Sequence, residues 1–462
     1  MVNTPVLSAK FSLIVTVLML SVFSIALIKL EMVPHIPVLF NLALLFVIGL
    51  WKKMNQKQLM EGITKGVSMV VSAIILFILI GITVASWMAV GTIPFLLGQV
   101  LEWVSPQFFF VSVLLITSVV GVLLGSSLTT VATMGVIFVS IAEVLGLSLP
   151  ITVGAIVSGA FFGDKMSPLS DTTSLASSTV GVDLFEHIKS MMVTTVPAFF
   201  VSVILFLLIP INSSEVSGNN SIVEVSSVIK SMSLNPIIVL LPLVVLLICT
   251  VTKQSGIISL FLSSLTAIVT LILQSKGNMI GGLIMDGYVS TTGQEVVDSL
   301  LTRGGINSMM FTISLVILVA GLAGLSISLG IIKQLSDWVM RSVRKRSSVV
   351  RSSLATSFGL NFIVGEQYLS ILLTGQAYQQ SFEEKSIDKR VLARVMEDGG
   401  TVINPLVPWS VCGIFISNML GVPTLAYVPF SFFCIACLLI SFFLADYRFL
   451  RSRSHTSSTQ TM

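Results

Sequence analysis

Between Gly163 and Thr173 an apolar stretch of the chain is interrupted by Asp164, Lys165, Ser167, Pro168, Ser170, Asp171, Thr172 and Thr173. The carboxylates and hydroxyls are hard oxygen ligands of the kind small cations prefer, and a carboxylate can exchange such a cation for a proton. On insertion scales each charge at a bilayer centre costs roughly 2.5–3.5 kcal/mol, so this cluster needs partners, water or bound ions. Pro168 removes a backbone donor and clashes with the preceding turn, which frees carbonyls as further ligands.

The pattern recurs. Gly163-x-x-x-Ser167-Pro168-Leu169 lines up with Gly400-x-x-x-Asn404-Pro405-Leu406, and Pro408 reinforces the second break. Each follows a polar interruption by about 35 to 40 residues: Gly125-Ser126-Ser127-Leu128-Thr129-Thr130 in the first case, Gly365-Glu366-Gln367-Tyr368 in the second. The first half offers an oxygen-rich lining from Ser126, Ser127, Thr129 and Thr130 together with Ser167, Ser170, Asp171, Thr172 and Thr173. The second offers Glu366, Gln367, Asn404 and Trp409, with fewer hydroxyls and more room for a larger group.

The elements that must position these residues follow from composition. The 462 residues are 54% hydrophobic and 10% charged, against about 25% charged in a soluble domain. An all-α polytopic membrane protein is expected. The net charge of +4, gathered in a few loops, implies no nucleic-acid surface. The first apolar run, 11–30, is too long for a signal-peptide core and reads as a retained span. Cys249, Cys412, Cys434 and Cys437 lack metal-ligand spacing and read as reduced packing residues. No nucleophile with a paired His is visible, so an enzyme finds little support.

A span needs about 20 mainly apolar residues. Candidate spans are 11–30, 32–51, 66–90, 149–182, 190–211, 234–251, 256–275, 306–330, 391–420 and 425–445. Segments 107–145 and 349–382 are each two shorter apolar pieces and fit re-entrant hairpins. Lys52, Lys53, Lys57 and Lys65, then Arg341, Arg344, Lys345, Arg346 and Arg351, then Arg448, Arg451 and Arg453 mark cytoplasmic loops and tail. Both termini then lie inside. The parse gives a first repeat at 1–211, an external loop at 212–233, a second repeat of opposite sense at 234–447 and a cytoplasmic tail at 448–462. Broken helices 149–182 and 391–420 occupy corresponding places, the arrangement that marks a midplane transport site.

The run from Phe162 to Thr173, followed by Gly181-Val182-Asp183-Leu184-Phe185-Glu186-His187-Ile188, resembles the signature of the NhaC family of sodium/proton antiporters. The stretch Glu397 to Trp409, Gly-Glu-Gln-Tyr at 365–368 and Gly-Ser-Ser at 125–127 are also similar to that family. The resemblance covers essentially the whole chain. It implies the larger ion-transporter superfamily, with a scaffold domain, a mobile elevator-type transport domain containing both hairpins, and a homodimer in the inner or plasma membrane of a prokaryote. It also implies exchanges that include sodium for protons, malate with lactate, and amino-acid transport. Ser174 stands where the family commonly has Asn, and Ser177-Ser178 replace a more Ala/Pro-like pair, positions that bear on substrate identity.

With that resemblance the expected mechanism is competition at a shared carboxylate, with Na+ and H+ as transported ions and no cofactor. Burial favours a protonated aspartate, while a cation favours the ionised form, so the two ions exclude each other. Asp164 and Asp171 take the ion-coupling roles and Lys165 balances charge. Ser126, Ser127, Thr129, Ser167, Thr172 and Thr173 line a sodium site near Asp171 and Ser126. Simpler readings stand beside these. Asp164 and Lys165 form a structural pair; Asp171 caps the helix that restarts after Pro168; Asp398 binds backbone or Arg394; the stretch 183–189 is an interfacial turn with His187 in a loop. The nearer alternative function is a sodium- or proton-coupled carrier of a small organic anion or amino acid, contacted by Lys165, Gln367, Asn404 and Trp409. A channel is remote, since no repeated filter or charge ring is visible.

Overall fold

Long apolar runs ended by left-handed glycines and restarted by Ser, Asn or Asp caps fold as helices throughout this computed structural model. It describes residues 7–103, 106–211, 219–232, 234–252, 254–274, 277–341 and 345–445. The expected tail at 448–462, the anchors Arg344, Arg448, Arg451 and Arg453, and 212–218 of the external loop lie outside the described residues. The protein is an all-α polytopic membrane protein. Among the described residues eight helices are long and apolar enough to cross a membrane, or up to ten if each bent pair is one span. The one β-like contact there is an isolated bridge between Tyr288 and Arg303.

Several elements differ from the sequence parse. The span expected at 66–90 is Val71–Val90. Ahead of it, Gln56–Met69 forms its own helix, begun by a capping box in which Asn55 and Gln58 satisfy each other's backbone amides. Lys57 and Lys65 therefore sit on a helix and not in a loop. Its Gly62 and Gly66 pack against Gly324 of Ile306–Ser328, so closely that a Cβ on Gly66 would lie 2.0 Å from the Ala320 carbonyl. Within the expected external loop, Asn219–Ser231 is helical. At 13 residues it falls short of a span, so a length-based parse passes over it.

The two segments expected as hairpins are helix pairs with the same joint. In the first, Phe109–Leu124 leads and Ser127–Leu145 returns; in the second, Arg346–Val364 leads and Gln367–Glu384 returns. Gly125 (φ 63°) and Gly365 (φ 70°) end the leading arms in the left-handed region. Ser126 and Glu366 follow in extended conformation and cap the return arms, accepting from the Thr129 amide (3.3 Å) and the Leu369 amide (2.8 Å). The arms are longer than the apolar runs suggested: Pro106–Leu124 and Ser127–Leu145 are 19 residues each, long enough to cross by length alone.

Each leading arm lies parallel to the helix that precedes a proline break. Gly159 faces Thr117 and Gly163 faces Gly121, where a Cβ on Gly163 would stand 2.5 Å from the Gly121 backbone. Small residues let these two backbones approach, as in other tightly packed membrane helices. On the other side Asn361 reaches the carbonyls of Gly399 (2.8 Å) and Gly400 (3.0 Å). These contacts set both breaks beside the glycine joints.

Candidate functional site

The first break separates Leu149–Met166 from Asp171–Val180. Asp164, one turn before it, is buried, and its Oδ2 accepts from the Ser127 hydroxyl (2.7 Å) and the Ser127 amide (3.1 Å). That amide belongs to the first turn of the return arm, where backbone donors are otherwise unpaired and the helix dipole favours an anion. Asp164 is thereby fixed at the helix start from a different segment. Ser170, and not Asp171, caps the restarting helix: its Oγ accepts from the Thr173 amide (3.3 Å) and lies 3.0 Å from Thr172 Oγ1. The cap position precedes the first helical residue, and the backbone is already helical at Asp171. Asp171 occupies that first turn with its side chain exposed into a cleft.

This cleft, about 90 Å³, is lined by Ser126, Ser127, Asp164, Asp171 and Thr172 from the first half and by Glu366, Gln367 and Tyr368 from the second. That volume holds several waters or a partly hydrated cation. Gln367 Oε1 is buried there and has no hydrogen-bond partner among the described residues. Ser72, Gln254 and Ser255 complete the polar wall. Sequence reasoning missed these three because Ser72 lies in the first turn of Val71–Val90 and Gln254 and Ser255 in the short linker before Gly256–Leu273, without a local motif to single them out.

Other expected residues lie elsewhere. Lys165 is fully buried and turned away from Asp164, as neighbours about 100° apart on a helix must be. It forms an ion pair with Asp398 and also approaches Cys437 Sγ (3.2 Å) and Thr194 Oγ1 (3.4 Å). The expected Asp164–Lys165 pair is therefore replaced by a link between the two broken helices. Thr194 also donates to Asp398 (3.2 Å), and Arg394 Nε stands 3.9 Å from its other oxygen. Cys437, expected as plain packing, takes part in this polar cluster; all four cysteines are free and buried. Thr129 Oγ1 donates to Ser126 Oγ (3.0 Å), Ser167 Oγ accepts from the Leu169 amide (3.2 Å), and Thr173 is buried behind the break.

The second break is closed by the protein's own side chains. Asn404 donates to Asn361 Oδ1 (2.8 Å) and accepts from the Cys412 amide (2.9 Å). Ser410 donates to the Asn404 carbonyl, and Tyr427 to the Pro405 carbonyl (2.6 Å). Trp409 stacks on Phe23 with centroids 4.4 Å apart and donates to the Phe362 carbonyl (2.9 Å). Of the four residues expected to contact a solute, Gln367 alone reaches the cleft. His187, expected in a loop, lies fully buried in the first turn of Leu184–Leu208, which Asp183 caps through the Phe185 amide (3.0 Å).

A polar cleft opened at helix breaks within a many-span α-helical protein defines a secondary transporter. The description "Na+/H+ antiporter family" matches residues 2–173 and 159–445, and the chain belongs to this family of secondary antiporters. It is 37% identical over 426 residues to the Na(+)/H(+) antiporter NhaC of Alkalihalophilus pseudofirmus, covering 92% of each chain. It is 35% identical to NhaC of Bacillus subtilis, covering 92% of this chain and 95% of that one. The malate-2H(+)/Na(+)-lactate antiporter of Bacillus subtilis is 32% identical over 81% of each chain.

Proposed function

We propose that this protein exchanges Na+ for H+ by alternating access, with Asp164 and Asp171 as the ion-coupling carboxylates. The observation that carries the reading is the placement of Asp164: held by Ser127 at a helix start, it faces a cleft rimmed by hydroxyls. Sodium fits that oxygen-rich wall, with Ser126, Ser127 and Thr172 as its neutral ligands. A carboxylate in so enclosed a site needs a neutralising cation, so loading of sodium and loading of a proton are alternatives. A transport domain that contains both hairpins, moving against a scaffold, would carry the site across, a reading supported by the matching glycine joints and proline breaks. The lysine and arginine distribution favours cytoplasmic termini.

Carriage of an organic carboxylate is less favoured by the same cleft. Among the described residues that line it there is no Lys, Arg or His to pair with such an anion. Lys165, the cation expected for that duty, is held by Asp398. Asp164→Asn and Asp171→Asn, assayed as sodium-dependent proton movement in inverted vesicles, should each abolish exchange while the protein still inserts. Full activity in both variants would remove the assignment.

A further inference from the structure

Glu397 is a carboxylate with no neighbour to account for it. It is fully buried, and neither of its oxygens has a hydrogen-bond partner among the described residues. The hydroxyl of Thr401, one turn on, is buried beside it and is the neutral side chain that acts on its carboxylate. Lys165 and Arg394 are near, yet the first is engaged by Asp398 and the second approaches the same aspartate. An anion left so in a dry interior is unstable, whereas its protonated form is not.

The backbone around it is specialised. Glu397–Thr401 is a π-helical turn, a form that occurs mostly as single turns at functional sites. Asn361 pins its Gly399 and Gly400 carbonyls, and a Cβ on Gly399 would stand 2.8 Å from Ser357, so the turn is fixed against the second leading arm. Glu397 is thus held in place without a charged partner of its own. The next residue, Asp398, pairs with Lys165, which follows Asp164, so the turn is tied to the helix that carries the cleft carboxylate.

We infer that Glu397 carries the exchanged proton, one shell behind the sodium-binding cleft. This rests on the sodium/proton reading above and divides its labour: the cleft aspartates hold sodium, and Glu397 holds the proton when sodium is absent. A sodium ion at Asp164 cancels the negative charge that would oppose ionisation of Glu397, so loading one ion releases the other. Titratable groups on the packed elements include Asp164 and Lys165 on Leu149–Met166, Asp171 on the restarting helix, Glu186, His187 and Lys189 on Leu184–Leu208, and Glu366 and Tyr368 at the start of the return arm. Arg351 lies on the leading arm, Tyr378 on the return arm, Cys437 on Phe432–Leu444, and Arg394 and Asp398 on its own helix.

The full chain in liposomes separates the two claims. Radiolabelled sodium counterflow reads the cleft alone, and proton movement driven by a sodium gradient reads coupling. Glu397→Gln, which imitates the protonated form, should keep counterflow and lose coupled proton movement by about tenfold or more. Glu397→Asp should keep coupling with a displaced pH profile. Glu397→Gln coupling like the wild type, or losing counterflow as well, would overturn the inference while leaving wild-type exchange intact. A wild type that moves no protons in response to sodium would instead overturn the underlying reading and this one with it.

Discussion

The two proline breaks begin from the same grammar and end in opposite states. At the second, Asn361, Ser410 and Tyr427 supply donors to the carbonyls that the irregular backbone frees, and Asn404 and Trp409 are themselves tied down. At the first, the side chains of Asp171 and Thr172 remain directed at a cleft, and Asp164 is held from one side by Ser127. A broken helix is therefore not in itself an ion site. What matters is whether the protein closes the break with its own donors or leaves it to water and ions.

Lys165 is the residue that joins the two regions, and its replacement should have the largest effect on the fold. Lys165→Met strands Asp398 in the interior, a loss of about 3–5 kcal/mol for one partner of a buried pair. Thermal unfolding in detergent should fall steeply, with recovery in Lys165→Met combined with Asp398→Asn. If the single variant were as stable as the wild type, the link between the breaks would carry no structural load. Asn404→Ala should come next. It leaves the Cys412 amide and Asn361 without their partner, which costs about 1–3 kcal/mol. Because the second break is closed, sodium affinity measured by counterflow should change far less than stability; a large affinity change would put Asn404 at the ion.

The outermost comparison is with a region outside both breaks. Asp298 accepts from Ser290, Thr292 and Gly293 in the loop before Ile306–Ser328. The Thr292 amide and the Ser290 hydroxyl hold its carboxyl at about 2, below the roughly 3.9 of an unfolded chain. Its folded value is depressed, so its contribution is present above about pH 4 and fades as pH falls towards about 2. Asp298→Asn should increase proteolysis of this loop at neutral pH and remove that acid dependence, with exchange unchanged. Loss of exchange in this variant would extend the functional region beyond the cleft.

Much of this was legible in the chain. Apolar run lengths gave the polytopic class, and the paired Gly-x-x-x-x-Pro-Leu patterns located both breaks within a few residues. The joints at Gly125 and Gly365 were visible as polar interruptions. Partnership was not. Asp164 and Lys165 are adjacent in sequence but point in different directions, and the partner of Lys165 lies on the other broken helix. His187 sits in a polar sequence that reads as a loop, yet the helix capped by Asp183 draws it inside. Glu397 reads only as the start of a family-like stretch within the span 391–420, since its lack of a charged partner depends on neighbours from distant segments. Long-range packing, which no local spacing encodes, decides these cases.

The central claim is that the first break supplies the sodium site to which proton movement is coupled. The most direct measurement is proton movement inside liposomes holding the purified protein, reported by an enclosed pH dye under an imposed sodium gradient, with lactate, malate and amino acids added in turn. The account expects sodium-driven proton movement in the wild type without any organic solute, and none with Asp164→Asn. Proton movement that requires one of the solutes, or that persists undiminished with Asp164→Asn, would contradict it.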